Sequence, residues 1–143
     1  MRLPKGRIRP AQETDVDGLF PLVAEFATSF VPERRRFDQA FSGILADHHA
    51  CVLVADMNGR LAGYLLGFDH PTFFANGPVS WVEEVAVQSS LRGNGIGRAL
   101  MSRFEEWASS RGSRLVALAS RRAARFYLAL GYEESASYFR KLL

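Results

Sequence analysis

The stretch that decides the fold is V-S-W-V-E-E-V-A-V-Q-S-S-L-R-G-N-G-I-G-R-A-L-M-S-R-F-E-E-W, residues 79–107. It divides into three parts. Val79–Val87 is β-branched and apolar, the composition of a strand. Gln88–Gly97 is polar and glycine-rich, a turn. Ile96, Leu100, Phe104 and then Trp107 or Ala108 recur at helical spacing. A strand that passes through a glycine loop into a helix suits an anion, because the first amides of a helix lack partners and its dipole favours negative charge there. Gly93, Gly95 and Gly97 let the backbone bend sharply and come close to such a group, and Arg92 and Arg98 add cations on either side.

Three phosphate-loop patterns can be set against these residues. A Walker loop requires a Lys-Ser or Lys-Thr pair, which is missing. A dinucleotide fingerprint would place its third glycine at Arg98 and an acidic residue where Ser113 and Arg114 stand. The pattern [QR]-x-x-G-x-[GA] is filled by Arg92, Gly95 and Gly97. Here the chain resembles the GNAT superfamily of acetyl-CoA-dependent N-acyltransferases, in which this loop holds the pyrophosphate of coenzyme A.

The 143 residues suit one domain, and a hydrophobic content of 48% supports a core. Cys51 is the sole cysteine, which excludes an internal disulfide and a Cys-rich zinc site; in its apolar run it is expected to be a buried, inert thiol. Residues 1–10, M-R-L-P-K-G-R-I-R-P, are charged and lack the apolar core of a signal peptide. No apolar run has the length of a membrane span. A cytoplasmic protein without membrane contact is expected. Residues 1–78 carry 8 Lys/Arg and 9 Asp/Glu, whereas residues 79–143 carry 10 and 6. The basic half therefore holds the glycine loop, as a polyphosphate ligand would favour. No helix-turn-helix or aromatic-basic strand motif points to nucleic acid. His48 and His49 are adjacent and His70 is isolated, so no metal site is expected.

Along the rest of the chain, Arg7–Pro10 is a short strand by pattern, and Thr14 is the expected helix N-cap. Val16, Leu19, Phe20, Val23, Phe26, Ala27 and Phe30 form one apolar helical face, with a kink or break expected near Gly18 to Pro21. Pro32 is expected to start a second helix. Cys51–Asp56 and Leu61–Phe68 form a hairpin across Asn58-Gly59. Strand 79–87, the following helix and strand 114–119 require a crossover, hence a parallel pair. Ala123–Leu130 is a short helix, and 132–134 and 138–142 are expected to be closing strands. This order is similar to that of the GNAT fold over nearly the whole chain, and R-F-Y-L-A-L-G-Y at 125–132 resembles that family's F-Y-x-x-x-G-[FY] segment. The expected architecture is a single α+β (mixed α/β) domain over residues 1–143. Its twisted mixed sheet is mostly antiparallel, with a splayed parallel pair (79–87 and 114–119) and about four flanking helices.

Glu83 and Glu84 stand side by side in an apolar strand, so their side chains point to opposite faces. A carboxylate in apolar surroundings is a better base near neutral pH. The resemblance assigns such a residue the base role; Glu83 is preferred and Glu84 is the alternative. It likewise makes Tyr127 the acid that protonates the departing thiolate. It gives the backbone of Val85, Ala86 and Val87 to the pantetheine arm, and the loop Arg92, Gly93, Asn94, Gly95, Ile96, Gly97 and Arg98 to the pyrophosphate. Where relatives often carry Asn after the next strand this chain has Ser120; Arg122 or Arg125 either reaches a phosphate instead or lies on a solvated helix face. The implied reaction is direct attack of an amine on acetyl-CoA in a ternary complex. It needs no metal, and its acceptor is a small amine, amino acid or aminoglycoside-like compound rather than a protein. The other reading is a non-catalytic acyl-CoA-binding module. The resemblance and the apolar carboxy-terminal residues leave a homodimer open.

Overall fold

Residues 50–57, 60–70 and 79–87 are long enough, and apolar enough on both faces, to form the middle of a sheet covered on both sides. The computed structural model describes residues 6–143, so part of the charged amino terminus, residues 1–5, lies outside the described residues. In chain order the elements are β1 (Arg7–Pro10), α1 (Val16–Phe26), α2 (Arg34–Leu45), β2 (Ala50–Met57), β3 (Arg60–His70), β4 (Val79–Val87), α3 (Ile96–Ser110), β5 (Val116–Leu118) and α4 (Ala124–Ala129). The strands lie side by side in sequence order. β1 to β4 pair antiparallel and β5 joins β4 in parallel, the mixed sheet expected from the sequence. Among the described residues no helix is long and apolar enough to cross a membrane.

The sheet separates two apolar layers. On one face Cys51, Leu53, Ala55, Leu65 and Val82 meet Ile96, Leu100, Met101 and Phe104 of α3. On the other, Val54 and Tyr64 meet Leu19 and Leu22 of α1 and Phe41 of α2. Alternation along β2 delivers Cys51, Leu53 and Ala55 to the α3 side and Val52 and Val54 to the other. Burial pushes the Cys51 thiol up to about 12, so it stays protonated and unreactive. Gly67 leaves room for the α3 side chain above it: a Cβ there would stand 2.3 Å from the Phe104 ring.

Several local expectations need correction. Leu22 joins the inward face of α1, whereas Phe30 lies beyond the helix and is exposed. Thr14 is not the cap: a 3-10 turn at Glu13–Asp15 leads into the helix, and the Asp15 carboxylate accepts the Gln12 amide at 2.7 Å. α1 continues unbroken through Pro21. The carbonyl that loses its amide partner there is that of Asp17, an exposed residue that water can reach. α2 starts at Arg34 rather than Pro32. β5 keeps only three residues of the expected 114–119. The two closing strands are absent: residues 132–143 contain neither helix nor strand. So short a β5 offers little edge for a ladder, and Tyr132 instead donates to Glu105 of α3 at 2.6 Å.

At the end of the sheet away from the glycine loop, Asp69 joins three elements. Arg111, just past α3, donates to it at 2.6 and 3.1 Å and stacks over Trp107; the His49 ring lies 2.9 Å away. Burial alone would raise the Asp69 carboxyl. The bonds to Arg111 and His49 together outweigh burial and hold it below the ordinary aspartate value. The unfolded state therefore binds the proton more readily, and this stabilisation is present above the ordinary value and lost as pH falls through the depressed one. Acid titration of stability should show a smaller loss in Asp69→Asn than in wild type, the remainder belonging to Asp15 and Asp56, whose carboxyls are also held low; urea midpoints between pH 2 and 6 check this. Gly67→Ala should lower stability by about 1–3 kcal/mol through overpacking against Phe104, read from the urea midpoint at neutral pH.

Candidate active site

The geometry of β4 follows from one extra residue. Gly67 of β3 pairs with Val82 and Leu66 with Glu84, so Glu83 has no partner and forms a β-bulge. The bulge reverses the alternation. Val82 packs toward α3, and so do Val85 and Val87, at an odd spacing that a regular strand could not give. Ala86 packs with Tyr64 on the α1/α2 side, and Glu84 falls on that side too. Glu83 is exposed, and its carboxylate accepts from the Trp81 indole at 2.9 Å.

Glu84 is half-buried and accepts from the Tyr64 hydroxyl at 2.7 Å. Burial raises its carboxyl above the ordinary value, the Tyr64 bond opposes this, and the nearby Glu83 charge adds to the rise. Burial and the Glu84 charge push the Tyr64 hydroxyl up in turn, so it remains a donor. Phe26 of α1 meets the Tyr64 ring edge-on at 6.4 Å. Tyr64 was not among the residues singled out from the sequence. Its signal is slight: one hydroxyl-bearing ring in the apolar run L-A-G-Y-L-L-G-F.

β5 follows β4 only as far as Val82, which pairs with Leu118. Beyond that point β4 runs on to Val87 with a free edge. The Gln88 amide donates back to Ala62 on β3, whereas the Val87 carbonyl accepts from Arg92 Nε at 3.2 Å. Successive residues alternate direction, so Val85 and Val87 turn their N–H and C=O groups toward the free edge and Ala86 turns its own toward β3.

The glycine loop closes the end of this edge. Gly95 caps α3 with φ 84°, a left-handed conformation that side chains rarely adopt, and so aims the first amides of the helix outward. Ile96 is 1% exposed and anchors that first turn in the core. Asn94 holds the loop by donating to the Leu91 carbonyl at 2.9 Å. Gly93 is exposed and Gly97 lies against Phe126 of α4. Arg92 and Arg98 are exposed, and Arg92 also reaches to within 3.9 Å of Glu25 on α1.

Tyr127 comes from α4 on the α3 side, the face opposite Glu84. It joins the cluster that contains Val82 and stands edge-on to Phe126 and Tyr132. Burial raises its hydroxyl above the ordinary value. Unlike Tyr64 and Tyr132, among the described residues it has no side-chain partner. Ser120 accepts the Ala123 amide at 3.0 Å and so shapes the entry to α4, while Arg125 is exposed. A cavity of about 430 Å³ lies to one side, lined by Gly18, Leu22, Glu25, Leu61 and Gln88 among others. Neither Glu84 nor Tyr127 borders it, so the gap beside β4 is the better place for chemistry.

These features together are a strand edge, an anion loop, and two protonatable groups on opposite faces. The chain matches the Acetyltransferase (GNAT) family over residues 17–132. It belongs to the GNAT acetyltransferase family. It is 30% identical over 146 residues to the aminoalkylphosphonate N-acetyltransferase of Salmonella typhimurium, an alignment covering 99% of this chain and 94% of that protein. The same fold occurs in glucosamine-6-phosphate N-acetyltransferase from Arabidopsis thaliana, with TM-score 0.87, 21% identity and coverage of 96% and 98% of the two chains. It occurs also in an aminoglycoside N-acetyltransferase in complex with CoA, with TM-score 0.83, 20% identity and coverage of 98% and 97%.

In this GNAT chain the Tyr64–Glu84 bond should be measurable by itself. The bond lowers the Glu84 carboxyl, so Tyr64→Phe should raise it further. Carbon-detected NMR titration of the Glu84 carboxyl should show an upward shift in the variant; a downward shift would contradict the assigned bond.

Proposed function

We propose that the chain moves the acetyl group of acetyl-CoA to the primary amine of a small molecule, by direct attack of the amine in a ternary complex. One observation carries this reading: the free edge of β4 ends in the amide-rich loop, with Glu84 and Tyr127 approaching from opposite faces. The residues fit the cosubstrate. The backbones of Val85 and Val87 would take the pantetheine arm as an added strand. The amides from Gly93 to Gly97, with Arg92 and Arg98, would take the pyrophosphate. Arg125 is open to a further phosphate oxygen, whereas the Ser120 hydroxyl is already committed to Ala123.

Acetyl-CoA supplies an activated thioester carbonyl. The chain supplies proton management and position. Glu84, rather than Glu83, takes the proton of the incoming ammonium, directly or through water, because its surroundings raise its basicity. Tyr127 keeps its proton at neutral pH and gives it to the departing thiolate. An amide at the bulge or on the free edge is suited to the carbonyl oxygen. The acceptor as a small-molecule amine is supported by the named relatives, whose acceptors are an aminoalkylphosphonate, an amino-sugar phosphate and an aminoglycoside.

Calorimetric titration with acetyl-CoA, followed by thiol release with a panel of amines, tests the reading. One-site binding weakened by Arg92→Ala is expected. Tyr127→Phe and Glu84→Gln should each lower kcat by about 100- to 10,000-fold, the range usual for general acid–base groups, with acetyl-CoA affinity retained. Glu83→Gln should stay within about threefold of wild type, as befits an exposed carboxylate away from the reacting amine. Unchanged turnover in both Tyr127→Phe and Glu84→Gln, with chemistry rate-limiting, would sink the assigned roles. Binding without turnover of any amine would favour a non-catalytic acyl-CoA-binding module.

A further inference from the structure

Tyr64 of β3 lies directly across from Ala86 of β4, and Leu66 lies across from Glu84. Tyr64 and Glu84 are therefore diagonal neighbours on one face, a separation that an aromatic side chain can bridge. The single methyl of Ala86 leaves space for the ring to lean along β4, and the hydroxyl reaches Glu84 Oε1 at 2.7 Å. The ring itself is held. It is 2% exposed, shares a cluster with Leu19 and Leu22 of α1, Phe41 of α2 and Val54 of β2, and meets Phe26 edge-on at 6.4 Å. A side chain locked by such packing also locks the group that its hydroxyl holds.

The two oxygens of the Glu84 carboxylate are thus unequal. Oε1 is committed to Tyr64, whereas Oε2 has no partner among the described residues. No buried side-chain oxygen or nitrogen among them lacks a partner, so Oε2 is open to solvent. Little else bears on this carboxylate. Among the described residues, the charge that acts on it is that of Glu83 on the same strand. Both helices meet this face of the sheet with apolar side chains, Leu19, Leu22 and Phe26 from α1 and Phe41 from α2. A carboxylate tied at one oxygen and open at the other offers an amine one basic atom in one direction.

We infer that Tyr64 is a positioning residue for the reaction: it ties down one oxygen of Glu84, so that the other, Oε2, takes the proton of the amine. The inference rests on the acetyltransferase reading above and adds to it the group that orients the base. The test records kcat and kcat/KM against pH for wild type, Tyr64→Phe, Ala86→Val, Glu84→Gln and the double variant Tyr64→Phe/Glu84→Gln. One amine that wild type acetylates is used throughout, so its own titration is common to all. The Tyr64 bond lowers the Glu84 carboxyl and the base acts only when ionised, so the acid limb of kcat/KM should move to higher pH in Tyr64→Phe. Above that limb Glu84 is ionised in both proteins, and kcat should stay about 10- to 100-fold low, the loss expected of a base without its orientation. Ala86→Val keeps the hydroxyl but narrows the space through which the ring leans, and should move the limb the same way by less. With Glu84 replaced by Gln there is no base left to orient, so the double variant should be no slower than Glu84→Gln. An acid limb that stays in place in both Tyr64→Phe and Ala86→Val, or a double variant in which the two losses multiply in full, overturns the role of Tyr64 and leaves acetyl transfer intact. Full kcat in Glu84→Gln, or no turnover of any amine, overturns the reading on which it rests and the role of Tyr64 with it.

Discussion

The β-bulge at Glu83 is the constraint on which the rest of the site depends. A sheet buried on both faces fixes each residue to one side by parity. Inserting one unpaired residue in β4 changes that assignment for everything downstream while leaving Val82 in the core. Without it, Val82 and Glu84 would share the α3 face, and a carboxylate would enter the cluster around Phe104. With it, Glu84 faces Tyr64 and the backbone of Val85 and Val87 is turned to the open edge. A glutamate next to a valine-rich strand end is thereby moved out of the larger core cluster and onto a hydroxyl partner.

The parting of β4 and β5 is the second half of the same design. Parallel pairing holds for three residues and then ceases, so β4 keeps a run of unpaired backbone inside the fold. Such an edge normally invites aggregation. Here the glycine loop closes one end of it. The first turn of α3 is held by Ile96 in the core, so the loop amides keep their direction without a ligand to organise them.

The central elements were legible because their signals are local. Val79–Val87, the hairpin at Asn58-Gly59, the glycine loop and the helix at 96–110 each declare themselves by composition or period. The choice between Glu83 and Glu84 did not, because a bulge is defined by the neighbouring strand's register and leaves no mark in its own strand. Tyr64 was overlooked for a related reason: its hydroxyl has meaning only opposite a carboxylate twenty positions away. The tail at 138–142 has strand-like residues, yet a strand also needs an edge to pair with, and three residues of β5 do not provide one. Pro21 misled in the other direction, since its missing bond falls on a carbonyl that water can reach.

The two apolar layers are unequal. Among the described residues, the cluster on the α3 side contains eleven buried members and that on the α1/α2 side five. The thinner layer carries Glu84, Tyr64 and Phe26, and the thicker one carries the glycine loop. Substitutions on the α1/α2 side therefore disturb the smaller share of the core. One face of the sheet can therefore be repacked while the packing of the other is left largely in place.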